Sequence, residues 1–293
     1  MADGPLGHSE RVIRVVAPAG PVNEADLDRG VEVLRGRGFT VELAPHVRDR
    51  EGYLAGPDDV RGADLRAAMD DPRVDVVWFA RGGFGTTRVL HALQASNLSG
   101  RFKLLAGFSD ATALFAWAQG IPGVRCLYAP SVQELGREGV CELGPLWAAL
   151  AGEEVAMPAE GPAETVGPFP VAGGCLSICT VLVGTPWEPD VADRWLLLED
   201  VAEPMYRLDR MLTHLAQAGW FRRVAGVLLG GFTGMAAGET AQLVAARVRE
   251  LTGPGKPVLA DLPVGHIKGK WPLPLEAPAL WDGRRLVVHS RMS

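Results

Sequence analysis

Long hydrophobic runs, clusters of basic residues and paired metal-ligand motifs are all missing from this 293-residue chain. Without a run of about 18 apolar residues, no segment is built to cross a bilayer as a helix. Lys and Arg number 29 against 35 Asp and Glu, a net charge of -6, and they never bunch together. The electrostatic footprint of a nucleic-acid binder, or of a protein held on anionic membranes, is therefore absent. No HExxH, no Cys-x-x-Cys and no histidine cluster occurs, so metal catalysis finds no support and no metal or cofactor is expected. Cys126, Cys141, Cys175 and Cys179 lack the spacing of a disulfide framework, which a chain of this length does not need. Cys175 and Cys179, four apart on one helix face, read as small core residues. Met1 to Pro5 show no basic segment leading into an apolar core, and the stretch Val12 to Ala19 is short and broken by Arg14. The expectation is a cytoplasmic protein with reduced thiols. Internal repeats and low-complexity segments are also lacking.

Against these absences, 47% of the residues are apolar and 22% charged, ample for a buried core, and the length suits two modest α/β domains. Short β-branched runs alternate with helical-period segments through the first half, the pattern of βα units around an open parallel sheet. Strands are predicted over Val12 to Ala17, Thr40 to Leu43, Val74 to Phe79 and Lys103 to Gly107. Helices are predicted over Glu24 to Arg37, Pro57 to Met69, Thr86 to Gln94 and Ala111 to Gln119. From Ala151 to Pro170 the sequence turns to Gly, Pro and Glu without periodicity, which marks a linker. The expected division is residues 1–150, a linker 151–170, and a second α/β domain 171–293, richer in strand toward its end. Within the latter fall a helix over Gly174 to Val183, a strand over Trp195 to Leu198, an amphipathic helix around Met205 to Leu215, a strand over Val224 to Leu229 and a helix over Thr240 to Leu251. Strands over Pro257 to Ala260 and Leu286 to His289 complete it.

The most informative segment is Lys103 to Thr112, where an apolar strand runs into Gly107-Phe108-Ser109-Asp110 and directly on into a helix. That is how a nucleophile elbow is built, with the Ser109 hydroxyl lifted beside the positive end of a helix and the Asp110 N–H facing a developing oxyanion. A simple helix N-cap explains the same residues. A serine base must come from six histidines: His8, His46, His91, His214, His266 and His289. His8 falls near the N-terminus, and His91 and His214 fall within helical periods. His266 stands in a Gly- and Pro-punctuated loop after a strand, where functional residues concentrate. Trp195 to Leu198 ends abruptly in Glu199 and Asp200 at a strand's C-terminal end, where α/β proteins hold ligands. Glu199 suits the carboxylate that orients a catalytic imidazole, and capping explains it equally; Asp200 reads as a cap for the helix starting near Pro204. Arg81-Gly82-Gly83-Phe84-Gly85 follows another strand and opens a helix without matching a dinucleotide or P-loop fingerprint. It reads as a loop for a carboxylate or oxyanion, with Arg81 able to pair with a substrate carboxylate, or as a plain tight turn.

Together with Val16-Ala17-Pro18-Ala19, Leu198-Glu199-Asp200-Val201, Tyr206 to Leu212 and Gly265-His266, these blocks resemble, in order, the LD-carboxypeptidase family of serine peptidases, which includes the microcin-immunity type. The likeness runs from about Val12 to Leu280. It implies a catalytic triad of Ser109 as nucleophile, His266 as general base and then acid, and Glu199 orienting His266. It also implies an oxyanion hole from the N–H groups of Gly83 and Asp110, with Arg81 and Phe84 beside the substrate. The implied activity is release of a terminal D-amino acid from an L-centre of murein tetrapeptide, in cell-wall recycling, by a homodimer. The alternatives are a microcin-immunity-type amidase acting on peptidyl or aminoacyl nucleotides, and a non-catalytic two-domain protein that binds a small molecule. Two departures fall near the implied pocket: Tyr128-Ala129-Pro130 where the family commonly has His-Gly-Pro, and Gly173-Gly174-Cys175 where it commonly has Gly-Gly-Asn.

Overall fold

A computed structural model describes residues 11–93 and 102–289, so His8 and Gln94 lie outside the described residues. The first half folds through β1 (Val12–Val16), β2 (Thr40–Leu43), β3 (Val76–Phe79), β4 (Lys103–Gly107) and β5 (Val124–Tyr128). The second supplies β6 (Glu154–Pro158), β7 (Val166–Cys175), β8 (Trp195–Val201), β9 (Gly226–Thr233), β10 (Val258–Leu259), β11 (Leu273–Leu275), β12 (Pro278–Trp281) and β13 (Arg285–His289). They form two mixed sheets, ordered β11-β5-β4-β3-β1-β2 and β10-β9-β8-β7-β12-β13-β6.

In the first sheet β1 to β5 run parallel. β3 and β4 are buried at every position, which is why they read as unbroken runs rather than alternating ones. The chain leaves β1 toward β2 on one side and returns to β3 on the other, so the strand order reverses between β1 and β3. Such a reversal opens a crevice at the C-terminal strand ends, and the loops after β1 and β3 meet there through a Gly20 N–H bond to Gly82 O of 3.1 Å. The helix Glu24–Gly36 forms because Asn23 caps it, accepting from the Asp26 N–H, and because Leu27, Val31 and Leu34 recur on one face against the sheet. Each of those buried side chains contributes about 2 kcal/mol.

Three expectations change on folding. The segment 151–170, expected as a linker, contains β6 and the first half of β7. Pro168 and Pro170 in β7 are tolerated because residues up to Pro170 pair with β12 alone, whereas pairing with β8 begins at Val171. β11, from the C-terminal region, joins the first sheet antiparallel to β5. The helix expected from Gly174 begins at Leu176 instead, because Gly173, Gly174 and Cys175 complete β7 beside β8.

Candidate active site

β4 ends at Gly107, where a side chain would press on Phe79 and Ala111 at 3.0 to 3.1 Å. After an extended Phe108, Ser109 takes a φ of 59° and opens a 3-10 turn, Ser109–Ala111, that feeds the helix Thr112–Ala118. A non-glycine residue held there costs on the order of 1 kcal/mol. This is the sharp strand-to-helix turn of a nucleophile elbow. Gly82 faces it: a Cβ at Gly82 would lie 3.0 Å from Ser109 Cβ and 3.3 Å from Oγ, so only glycine leaves the hydroxyl its space.

The carboxylate arrives from the other sheet. The register of β8 against β9 slips between Leu198 and Asp200, so Glu199 sits at an irregularity that re-aims its side chain. Glu199 is fully buried. Its Oε2 accepts the His266 backbone N–H at 2.9 Å and His266 Nδ1–H at 2.7 Å. Gly265 permits this approach: its φ is +97°, and a Cβ there would lie 2.6 Å from Glu199 Cδ. With Nδ1 donating, the neutral ring keeps Nε2 as its acceptor, a tautomer fixed by the hydrogen-bond network. Phe108 packs on the His266 ring with centroids 4.7 Å apart. Lys270 Nζ lies 4.0 Å from the Phe108 centroid while pairing with Glu134 at 2.6 Å.

Ser109 and His266 line one cleft of about 650 Å³, within the range that holds small ligands. Arg50, Arg81, Gly83, Arg137 and Glu203 line it too. Among the described residues the Ser109 hydroxyl makes no hydrogen bond, and unliganded sites commonly have this contact open. Arg81 is partly committed, with Nη1 donating to Pro21 O. Phe84 does not line the cleft; it stands 44% exposed with its ring beside Tyr53. The Asp110 carboxylate is fully buried and accepts the Thr86 N–H at 2.7 Å, holding the Gly82-Gly83 turn's following helix in place. Burial pushes its pKa up, against the Thr86 N–H hydrogen bond and the Arg61 charge. Asp200 caps a helix, but not the one near Pro204: its Oδ2 accepts the Ser177 N–H at 2.8 Å, in the helix Leu176–Leu182.

Reasoning from sequence missed the role of Tyr128. Its hydroxyl donates to Glu199 Oε1 at 2.6 Å and accepts the Ser109 N–H at 3.2 Å. Burial, then the Glu199 charge, push this phenol well above its ordinary pKa, so it stays protonated. The signal lay in its position: Tyr128 ends β5 directly beside Gly107 of β4. Cys175, the second departure, ties β7 to the helix Thr112–Ala118 through its backbone, its N–H bonding Thr112 Oγ1 at 3.0 Å. Loss of a side-chain amide there leaves this link intact.

Two α/β halves that bring a strained serine turn and a carboxylate-histidine pair to one cleft define the class of two-sheet proteins with a site between the sheets. Residues 13–129 match the model of the LD-carboxypeptidase N-terminal domain, and residues 170–280 that of the LD-carboxypeptidase C-terminal domain. The chain belongs to the LD-carboxypeptidase family. A putative carboxypeptidase of Streptomyces coelicolor is 38% identical over 92% of this chain and 90% of its own. The murein tetrapeptide carboxypeptidase of Pseudomonas aeruginosa is 30% identical over 94% of each chain. Among solved structures, the muramoyltetrapeptide carboxypeptidase from Oxalobacter formigenes superposes with a TM-score of 0.80 at 28% identity, covering 94% of this chain and 98% of that one. The microcin C7 self-immunity protein shares the fold, with a TM-score of 0.84 at 19% identity over 98% and 97% of the two chains.

Proposed function

We propose that this peptidase-family protein is a serine carboxypeptidase that releases the terminal D-amino acid from an L-centre of murein tetrapeptide. The observation that carries the reading is the Glu199–His266 pair, closed at 2.7 Å and facing the same cleft as a serine on a strained turn. Ser109 Oγ attacks the scissile carbonyl as His266 Nε2 takes its proton, and Glu199 stabilises the imidazolium without leaving its hydrogen bonds. The tetrahedral oxyanion lies against the N–H groups of Gly83 and Asp110. Collapse breaks the C–N bond, and His266 returns the proton to the departing amine. Water then repeats the sequence on the acyl-enzyme, freeing the shortened peptide and restoring Ser109. Arg50 and Arg81 supply positive charge along the wall for substrate carboxylates.

Mass spectrometry of the purified protein with L-Ala-D-Glu-diaminopimelate-D-Ala, beside Ser109→Ala, tests this. Tripeptide and free D-alanine are expected from the unaltered protein alone. Product from both would remove Ser109 from the mechanism. Product from neither, with turnover of an aminoacyl sulfamoyl adenylate, would reassign the substrate to peptidyl nucleotides.

A further inference from the structure

A serine elbow on one sheet and a carboxylate-histidine pair on the other must be held in register. Among the described residues, the Tyr128 side chain hydrogen-bonds to both. The Ser109 N–H can only donate, so the Tyr128 oxygen must accept it, at 3.2 Å. The phenol's one proton is then left for Glu199 Oε1, at 2.6 Å. Glu199 uses its other oxygen for both His266 bonds. The result is a directed chain: Ser109 N–H to Tyr128, Tyr128 O–H to Glu199, and His266 Nδ1–H to Glu199.

The surroundings hold the phenol in place. Tyr128 is 1% exposed, with Phe108 and Phe115 each 6.2 Å from its ring. Gly174 makes room, since a Cβ there would lie 2.8 Å from Tyr128 Cε2.

We propose that Tyr128 is a positioning residue for this reaction, fixing the rotation of the Glu199 carboxylate and coupling it to the nucleophile turn. The proposal rests on the serine-hydrolase reading above. It has two chemical consequences. The Ser109 N–H is engaged and is not an oxyanion donor, which leaves that task to other amides. Glu199 shares its charge with a neutral donor, which moderates the field at His266. Among the described residues, the ionisable groups around the array are Cys175, Cys179 and Asp200 beside Glu199, and Lys270 with Glu134 across the Phe108 ring. Removing the phenol proton donor leaves those groups in place.

The test is the rate at which an alkyl fluorophosphonate labels Ser109, followed by intact mass from pH 5 to 9. Labelling reads nucleophile activation without assuming the natural substrate. Tyr128→Phe keeps the ring and its packing. It is expected to slow labelling about ten- to a hundred-fold at saturation, with the half-saturating probe concentration unchanged. The acid limb of its profile is expected to move to higher pH, because loss of the phenol's hydrogen bond leaves more of the Glu199 charge facing the imidazole. 3-Fluorotyrosine in place of Tyr128, a stronger donor of the same shape, is expected to move that limb the other way, and it keeps the test open if Tyr128→Phe folds poorly. Val31→Ala, a packing loss in the helix Glu24–Gly36 away from the array, should label within twofold of the unaltered protein. Equal rates and profiles for Tyr128→Phe and the unaltered protein would overturn the proposal. So would the same slowing and shift in Val31→Ala. Failure of the unaltered protein to be labelled at Ser109, or equal labelling of Ser109→Ala, would instead refute the serine mechanism on which it rests.

Discussion

Gly265→Ala is the sharpest perturbation of the Glu199–His266 pair that leaves both residues present. A Cβ at Gly265 would lie 2.6 Å from Glu199 Cγ and Cδ. Carbon atoms rest at about 3.5 to 4.0 Å, so the carboxylate must retreat by about 1 Å. The His266 Nδ1 to Oε2 separation of 2.7 Å then stretches to about 3.7 Å, outside hydrogen-bonding range. Without that bond neither the tautomer nor the imidazolium is held, and kcat should fall by about a thousandfold or more. The φ of +97° adds a backbone cost of about 1 to 2 kcal/mol. Gly120→Ala separates the two effects, because Gly120 has a φ of +78° with nothing within 4 Å of its Cβ position. Both variants should lower Tm, measured by calorimetry, while Gly120→Ala keeps its kcat for release of D-alanine. A folded Gly265→Ala enzyme with kcat within about threefold of the unaltered protein would refute the claim that this carboxylate contact carries the rate.

Ser109→Gly should abolish turnover and raise stability by about 1 kcal/mol, read as a higher Tm, because glycine suits a φ of 59° without strain. Glu199→Gln should cost about a thousandfold or more in kcat: the amide offers one acceptor oxygen where His266 and Tyr128 donate to two, so one side of the array loses its partner. Asp71 sits away from the cleft, and its hydrogen bonds from Arg73 hold the carboxyl down at about 2 against an ordinary 3.8. Its folded pKa is depressed, so its stabilisation is present above about pH 4 and is lost as pH falls toward 2. Urea unfolding should show Asp71→Asn less stable than the parent at pH 7, with the gap narrowing steadily below pH 4.

Much of this site was legible because the physical constraints are local. An all-apolar strand running into Gly107-Phe108-Ser109 and then a helix can hardly turn otherwise, and the strand ending at Glu199 shows its acids against an unbroken apolar run. The Ser109 strain was not legible, since it depends on Gly82, 27 residues back in the chain in a separate loop after β3, facing the hydroxyl. Tyr128 escaped because β5 carries an exposed Arg125 and follows a Gly and Pro turn, which blurs its strand pattern. Its role also depends on Glu199, 71 residues away. Residues 151–170 looked like a linker because Pro and Gly ordinarily break sheets. Only the pairing shows that Pro168 and Pro170 lie where one side of β7 is open. β11 is three residues with Pro274 at its centre and Pro272 just before it, too short and too proline-rich to announce a strand. Phe84 was legible as a neighbour of the glycine turn but not as a residue facing away from the cleft.

β11 gives the cleft a mechanical character. The chain passes from the first sheet to the second after β5, returns for β11, and leaves again for β12. Two lobes joined by one strand can twist and bend freely, whereas three crossings allow only motions that all three connections can follow together. Any relative rotation of the lobes at this cleft is thereby limited to those that all three connections share. The same stitching makes the lobes poor candidates for separation: a chain ending at residue 150 would lack β11 and leave the outer edge of β5 bare, with unpaired backbone groups open to strand pairing with another molecule.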